Sequence, residues 1–230
     1  KDNIIFRNEL SLVEKAISLK ANPSKFFAEM PSFFFKETQD FFRFPFAGLA
    51  SVPRKISLKR SPVLANKTSI GKLPQIVCWP MDGGAFITLP QVFSKDPLNS
   101  HIMKSNLGMY RVQLSGNDYI KDKEIGLHYQ IHRGIGVHHT NALGQNKDLP
   151  VSIFVGGPPS HSVAAVMPMP EGMSELVFAG MLTGNRFRYS ILGDHVISAD
   201  ADFCITGWIR GKRTKPEGPF GDHLGYYSLK

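Results

Sequence analysis

Hydrophobic positions recur at helical spacing near the start of the chain, then break into short extended runs. Over residues 9–21, Leu10, Val13 and Ile17, with Leu12, Ala16 and Leu19, return at the intervals that line a helix face. Ser11 and Glu14 are spaced as in a capping box, and Asn22-Pro23 ends the pattern because proline disfavours helical backbone in the residue before it. Residues 26–46 are dense in phenylalanine, from Phe26 to Phe46. A solvated helix face does not carry so many rings, so packing against another domain is expected rather than an aromatic cofactor box. Residues 47–73 mix Gly, Pro, Ser and Lys without periodicity and read as a linker. Residues 1–73 are therefore predicted to be a helical and linker lead-in.

From Leu73 the texture changes. PQIVCWP (74–80), AFITL (85–89), LGMYRVQL (107–114), GLHYQIH (126–132), VSIFVGG (151–157) and FCITGWIR (203–210) are short, rich in β-branched and aromatic residues, and punctuated by Gly and Pro. All are predicted strands. One helix interrupts them: Ser174 is a good N-cap for ELVFAGMLTG, which stops at Gly184. Strands with few helices and no βαβ alternation predict an α+β domain over residues 74–230, built on an antiparallel barrel-like sheet.

Composition narrows the class. The chain has 42% hydrophobic and 20% charged residues, ordinary for a globular protein. No apolar run is long enough to cross a bilayer, and the first residues lack a signal-peptide layout. Both ends look cut, so a fragment of a longer protein is expected. Cys78 and Cys204 are too few for a disulfide scaffold and suit a reducing cytoplasm. The net charge of +8 raises nucleic-acid binding. The basic residues form short separated clusters rather than a stripe, which favours solvated faces or an anionic ligand, and no nucleic-acid partner is expected.

Several residues could carry chemistry. Along 107–114 a strand would put Tyr110 and Val112 on one face and Met109, Arg111 and Gln113 on the other. His128, Gln130 and His132 would share a face of the next strand, with His138 and His139 after a turn at Gly134–Gly136. They are either metal ligands or hydrogen-bonded packing residues. VGGPPS (155–160) is either an anion-cradling turn or an ordinary one, and it matches neither the dinucleotide nor the P-loop pattern. Glu171 lies in a Pro/Gly turn and Glu175 in the first turn of a helix, where a carboxylate either complements the helix dipole or serves as a hard ligand for Mg²⁺ or Mn²⁺. Glu217 and Asp222, in the stiff loop KPEGPFGDHLGYY (215–227), are either surface carboxylates or an acid–base pair in one cavity.

Taken together, NLGMYR, LPVSIFVGGPPS, MPEGMSELVFAG and EGPFGDHLGYY resemble the UbiD-type decarboxylases, over roughly residues 74–227. CWPMDGGAFITLPQV (78–92) is similar to the quinone-biosynthesis members, slightly more to the menaquinone-pathway type than the ubiquinone type. The resemblance implies a split β-barrel of the flavin reductase-like, FMN-binding kind. It also implies prenylated FMN as cofactor, made by a flavin prenyltransferase. Asn106, His132 and Glu175 fall where the family binds Mn²⁺ or Mg²⁺ against the flavin phosphate. Met109, Arg111, Met167 and Pro168 fall among cofactor contacts, and the backbone near Ala164 and Ala165 matches a second cation site, for K⁺. Arg111, Glu217 and Asp222 match the catalytic set, with Asp at 222 where other members have Glu.

The implied substrate is a small carboxylic acid, a prenylated hydroxybenzoate or naphthoate, whose prenyl chain would bring peripheral membrane association. The full-length protein is expected to form a homo-oligomer, and this portion by itself to be poorly active. The alternatives are a non-catalytic FMN-binding split-barrel module and a basic nucleic-acid-binding protein.

Overall fold

The computed structural model describes residues 48–169 and 173–228. The predicted helix over 9–21, the phenylalanine-rich stretch 26–46 and Glu171 lie outside the described residues. Within them, twelve short strands and three α-helices give a mixed α+β fold. Three of the strands, β1 (Arg54–Lys55), β2 (Phe86–Ile87) and β3 (Gln91–Lys95), precede β4 (Ser105–Gly108), β5 (Arg111–Gln113) and β6 (Gly126–His128). Helix α1 (Gly134–Gly144), strand β7 (Leu149–Val155), and helices α2 (Pro159–Val166) and α3 (Glu175–Thr183) come next. Strands β8 (Arg188–Leu192), β9 (His195–Ser198), β10 (Phe203–Ile209), β11 (Phe220–Gly221) and β12 (Tyr227–Ser228) complete the order.

The antiparallel sheet β10-β7-β3-β4 is the centre of the fold. Its strands alternate between two cores because successive side chains point to opposite faces. Phe93 and Phe154 join Leu107, Leu176 and Phe187 on the side of α2 and α3. Val92 and Ile153 join Val112, Ile135 and Leu149 on the side of α1 and β5. Burial on both faces fits the successive apolar residues Ile153, Phe154 and Val155 of β7. A second sheet, β1-β8-β9, packs against β7, a third is β2-β5-β6, and β11 pairs with β12. Among the described residues these sheets form no closed barrel.

Several expectations are corrected. Residues 74–80 form no strand: Ile76, Val77 and Trp79 are exposed, and the Ile76 carbonyl accepts one bond, 2.9 Å, from Phe86 N–H. The predicted strand 107–114 breaks at Met109-Tyr110, where Met109 N–H turns to the Ala165 carbonyl, 2.9 Å. Its halves, β4 and β5, therefore serve different sheets. The strand over 126–132 ends at His128, and a turn closed by Arg133 N–H on the Gln130 carbonyl leads into α1. His128, Gln130 and His132 thus share no strand face, and the predicted turn at Gly134–Gly136 is the first turn of α1.

Helices α1 and α2 and the β8–β9 hairpin do not follow from the hydrophobic pattern. Helix α1 is rich in Gly and β-branched residues, and α2 starts from Pro159 directly after the Gly-Gly turn. Only tertiary burial of Ile135, Ala142, Ala164 and Ala165 supports them. Helix α3 forms as predicted: Ser174 Oγ accepts from Leu176 N–H at 3.3 Å, and Gly184 closes it in the left-handed region at φ 64°. The expected linker carries β1, whose residues bond alongside β8 (Arg54 N–H to Phe187 O and Ile56 N–H to Tyr189 O, both 2.7 Å), and three short 3₁₀ turns.

Candidate active site

Strand β5 and the loop before β11 bring Arg111 and Glu217 into a two-pronged ion pair. Arg111 Nε donates to Glu217 Oε1 at 2.7 Å and Nη2 to Oε2. The pair is mostly enclosed, with side-chain exposures of 21% and 11%. A planar guanidinium facing both carboxylate oxygens is fixed in orientation as well as charge. Nη1 donates to Ser228 Oγ at 3.0 Å, and the guanidinium carbon lies 4.8 Å from the centre of the Phe220 ring. Arg111 is therefore clamped from β11 and β12 as well as from the loop.

The loop itself hangs on Gln113, two residues along the same strand and fully buried. Its Oε1 accepts from Gly218 N–H at 2.9 Å, and its Nε2 donates to the Gly83 and Ser115 carbonyls at 3.1 and 2.9 Å. Asn117 Nδ2 donates to the Gly218 carbonyl, and Asp82 Oδ1 accepts from Gly221 N–H, at 2.9 and 2.8 Å. Gly83 N–H closes on the Pro219 carbonyl at 2.8 Å. That approach needs glycine, since a Cβ at 83 would stand 2.0 Å from the Gly218 oxygen. Gln113 lies on Arg111's predicted face, the one sequence signal for this support. Asp82 and Asn117 carried none.

His128 stands directly opposite Arg111 in the β5–β6 register. Its Nδ1 is 3.4 Å from Arg111 Nη2 and 3.5 Å from Glu217 Oε2. Asp222 is placed differently: Oδ1 accepts from Leu224 N–H and Tyr226 N–H, both 2.9 Å, stapling its own turn. No described hydrogen bond or ion pair joins it to Arg111 or Glu217.

A second group assembles where β4, α2 and α3 meet. Glu175 Oε2 accepts from Leu107 N–H at 2.9 Å, and burial raises the carboxyl's pKa above its ordinary value. The neighbouring Asn106 shares its amide with the Tyr110 hydroxyl (Nδ2 to oxygen, 3.3 Å). Burial likewise raises the Tyr110 pKa. Asn106 Oδ1 also faces Gly134, where a Cβ would stand 2.0 Å away. His132, two residues before Gly134, is exposed, and no described hydrogen bond or ion pair ends on it.

Among the described residues no three His, Cys, Asp or Glu side chains gather as a metal cluster. The half-buried Glu175 carboxylate and the Asn106 amide oxygen are nevertheless hard-oxygen donors, the kind that suits a divalent cation. Met109 and Met167 are half-buried against the same core and Pro168 is exposed. Met167 caps α2, its N–H reaching the Val163 and Ala164 carbonyls at 3.2 and 3.3 Å.

The family model described as "UbiD: 3-octaprenyl-4-hydroxybenzoate carboxy-lyase Rift-related domain" matches residues 54–230. The chain is 40% identical over 192 residues to a 4-hydroxybenzoate decarboxylase subunit of Chlamydia pneumoniae, covering 83% of this chain and 29% of that protein. It therefore spans under a third of that relative's length. Among solved structures, the vanillic acid decarboxylase of Sedimentibacter hydroxybenzoicus in its closed form superposes with a TM-score of 0.69 at 24% identity, over 81% of this chain and 41% of that one. The UbiD-class enzyme HmfF of Pelotomaculum thermopropionicum, in complex with prFMN, gives 0.67 at 22%, over 80% and 44%. At these identities the likeness is one of fold.

Proposed function

Because the chain belongs to the UbiD family, we propose that it is the cofactor-binding portion of a carboxy-lyase that removes CO₂ from an aromatic or α,β-unsaturated acid. The reading is carried by the enclosed two-pronged pair of Arg111 and Glu217. Decarboxylation replaces a carboxylate by hydrogen: the carbon–carbon bond breaks, its electron pair stays on carbon, and a proton is taken up. Arg111 supplies a fixed positive charge that orients the substrate carboxylate. Glu217, as the ion-pair partner of that guanidinium, holds Arg111 in place. Phe220, Ser228 and Gln113 hold the pair's geometry. Asp222, five residues beyond Glu217, would deliver the proton from its carboxyl group.

Prenylated FMN, when bound, supplies the electron sink for the pair left on carbon. Asn106 and Glu175, with His132 after a turn of its ring, would hold Mn²⁺ or Mg²⁺ against the flavin phosphate. Met109, Arg111, Met167 and Pro168 would line the cofactor, and the carbonyls near Ala164 and Ala165 would take K⁺. A split flavin reductase-like barrel belongs to the same reading. The substrate is placed in quinone biosynthesis, as a prenylated hydroxybenzoate or naphthoate. The setting is a cytoplasmic homo-oligomer supplied by a flavin prenyltransferase, touching the membrane only through a prenylated substrate. No helix among the described residues is long and apolar enough to cross a membrane.

The test is to co-express the full-length protein with a flavin prenyltransferase, then record its absorbance, its metal content and CO₂ release from candidate acids. Bound flavin, a divalent ion and CO₂ release are expected. A flavin- and metal-loaded protein that releases no CO₂ from hydroxybenzoates, naphthoates or other unsaturated acids rules the reading out.

A further inference from the structure

We propose that Tyr110 is a positioning residue for the metal site: its hydroxyl holds the Asn106 amide in the orientation in which the amide oxygen meets a divalent cation. The inference rests on the reading above of Asn106 and Glu175 as cation ligands. An amide has an oxygen that can bind a hard cation and an –NH₂ that cannot, so the site works only with the amide turned one way. The backbones that carry the two ligands are already tied together. Ser105 and Ser174, the residues immediately before them, have their buried Oγ atoms 3.1 Å apart. Ser105 Oγ gives its one hydrogen to the Ile102 carbonyl at 2.7 Å, so Ser174 Oγ is the donor between the two serines. Glu175 Oε2 is in turn held by Leu107 N–H. None of these contacts decides how the Asn106 amide turns, and the torsion at its end is a soft one.

Tyr110 is the residue that reaches that amide. The chain leaves the central sheet at Met109, and the Tyr110 ring folds back over Gly108, where a Cβ would stand 2.5 Å from the ring. The ring packs on the core that holds Val112 and Ile135, which fixes where its hydroxyl stands. The hydroxyl oxygen is 3.3 Å from Asn106 Nδ2 and 3.4 Å from Oδ1. Both separations exceed that of a formed N–H···O bond, about 2.7–3.2 Å, because one hydroxyl stands between two amide atoms. With a cation on Oδ1 it closes on Nδ2, accepting that hydrogen and leaving the lone pairs of Oδ1 to the ion. On its other side Oδ1 faces Gly134, which has no side chain to block it. Phenylalanine at 110 would fill the same space and leave the amide free to swing.

The experiment titrates Mn²⁺ into the full-length protein, saturated with FMN and stripped of metal by a chelator, and reads free Mn²⁺ by electron paramagnetic resonance. Tyr110→Phe keeps the ring on the core and removes one oxygen, so the metal-free melting temperature should change by only a few degrees. Its Mn²⁺ affinity should fall about 10- to 100-fold, the usual effect of removing a partner of a metal ligand. Asn106→Ala should weaken binding at least as much. Adding Tyr110→Phe to Asn106→Ala should then cost less than about twofold more, because Tyr110 acts through the amide that is already gone. Wild-type affinity in Tyr110→Phe, with Asn106→Ala and Glu175→Gln both weakened, overturns the positioning role alone. A loss from Tyr110→Phe that recurs in full in the Asn106→Ala background marks a packing role and also overturns it. Weaker binding accompanied by a large fall in the metal-free melting temperature does the same. A wild type that binds no Mn²⁺, or Asn106→Ala and Glu175→Gln proteins that bind it as the wild type does, removes the cation reading and the role of Tyr110 with it.

Discussion

Gln113 and Gly218 lie 105 residues apart and are joined by one buried hydrogen bond, 2.9 Å from Gly218 N–H to the Gln113 side-chain oxygen. The same side chain donates to Gly83 and Ser115, so one residue ties three loops to the strand that carries Arg111. The acid next to Gly218 is thereby positioned from the strand of its own ion-pair partner.

Gln113→Leu keeps the volume but removes every one of these bonds, leaving buried backbone groups without partners. Each such group costs about 1–3 kcal/mol, so the variant should lose several kcal/mol in chemical denaturation. CO₂ release should fall with it, because Glu217 is no longer held. An unchanged denaturation midpoint would show that the network contributes little.

Arg111→Lys keeps the charge and loses the two-pronged contact, the Ser228 bond and the stacking over Phe220. Turnover of the full-length protein is expected to fall at least about 100-fold, with the melting temperature changed by only a few degrees. Near-normal turnover would mean that charge alone suffices and orientation does not matter.

Asp222→Asn retains an amide oxygen where Oδ1 accepts from Leu224 and Tyr226 N–H, so the turn should survive. Asp222→Ala should lose about 1–2 kcal/mol through the unpaired turn amides. Turnover separates the two roles. As the proton donor, Asp222 is expected to cost turnover in both variants; an Asp222→Asn protein close to wild type would show that the residue only staples the turn.

His161 couples stability to pH. It is buried on α2 at 4% exposure, its ring 4.5 Å from that of Phe187 and its Nδ1 without a hydrogen-bond partner among the described residues. Burial pushes its pKa down to about 4, against a smaller opposing pull from Asp200. The native ring is therefore neutral where the unfolded ring, near 6.5, already binds a proton. Stability is full above about pH 6.5 and is lost as pH falls towards about 4, by roughly 3 kcal/mol from this group. His138 and His195 shift the same way, also through burial. Urea denaturation at pH 7 and pH 4.5 checks the sign, and His161→Leu should flatten the difference.

What could be read from the chain was local chemistry. Ser174 and Gly184 bound α3 because capping involves groups within a turn of one another, and period-two alternation put Gln113 on Arg111's face. Motif order likewise singled out Glu175 and Glu217 as carboxylates worth following. The pattern did not reach α1 and α2, whose Gly- and Pro-rich starts oppose helix formation until Ile135 and Ala164 are buried. Nor did it show the break at Met109-Tyr110, which exists because the Ala165 carbonyl draws the Met109 amide out of the central sheet. Pairing Arg111 with Glu217, seating His128 beside them and turning Asp222 to its own backbone depend on contacts between residues far apart in sequence. Such contacts follow from which surfaces are buried together and which loops then meet, and no local spacing encodes them.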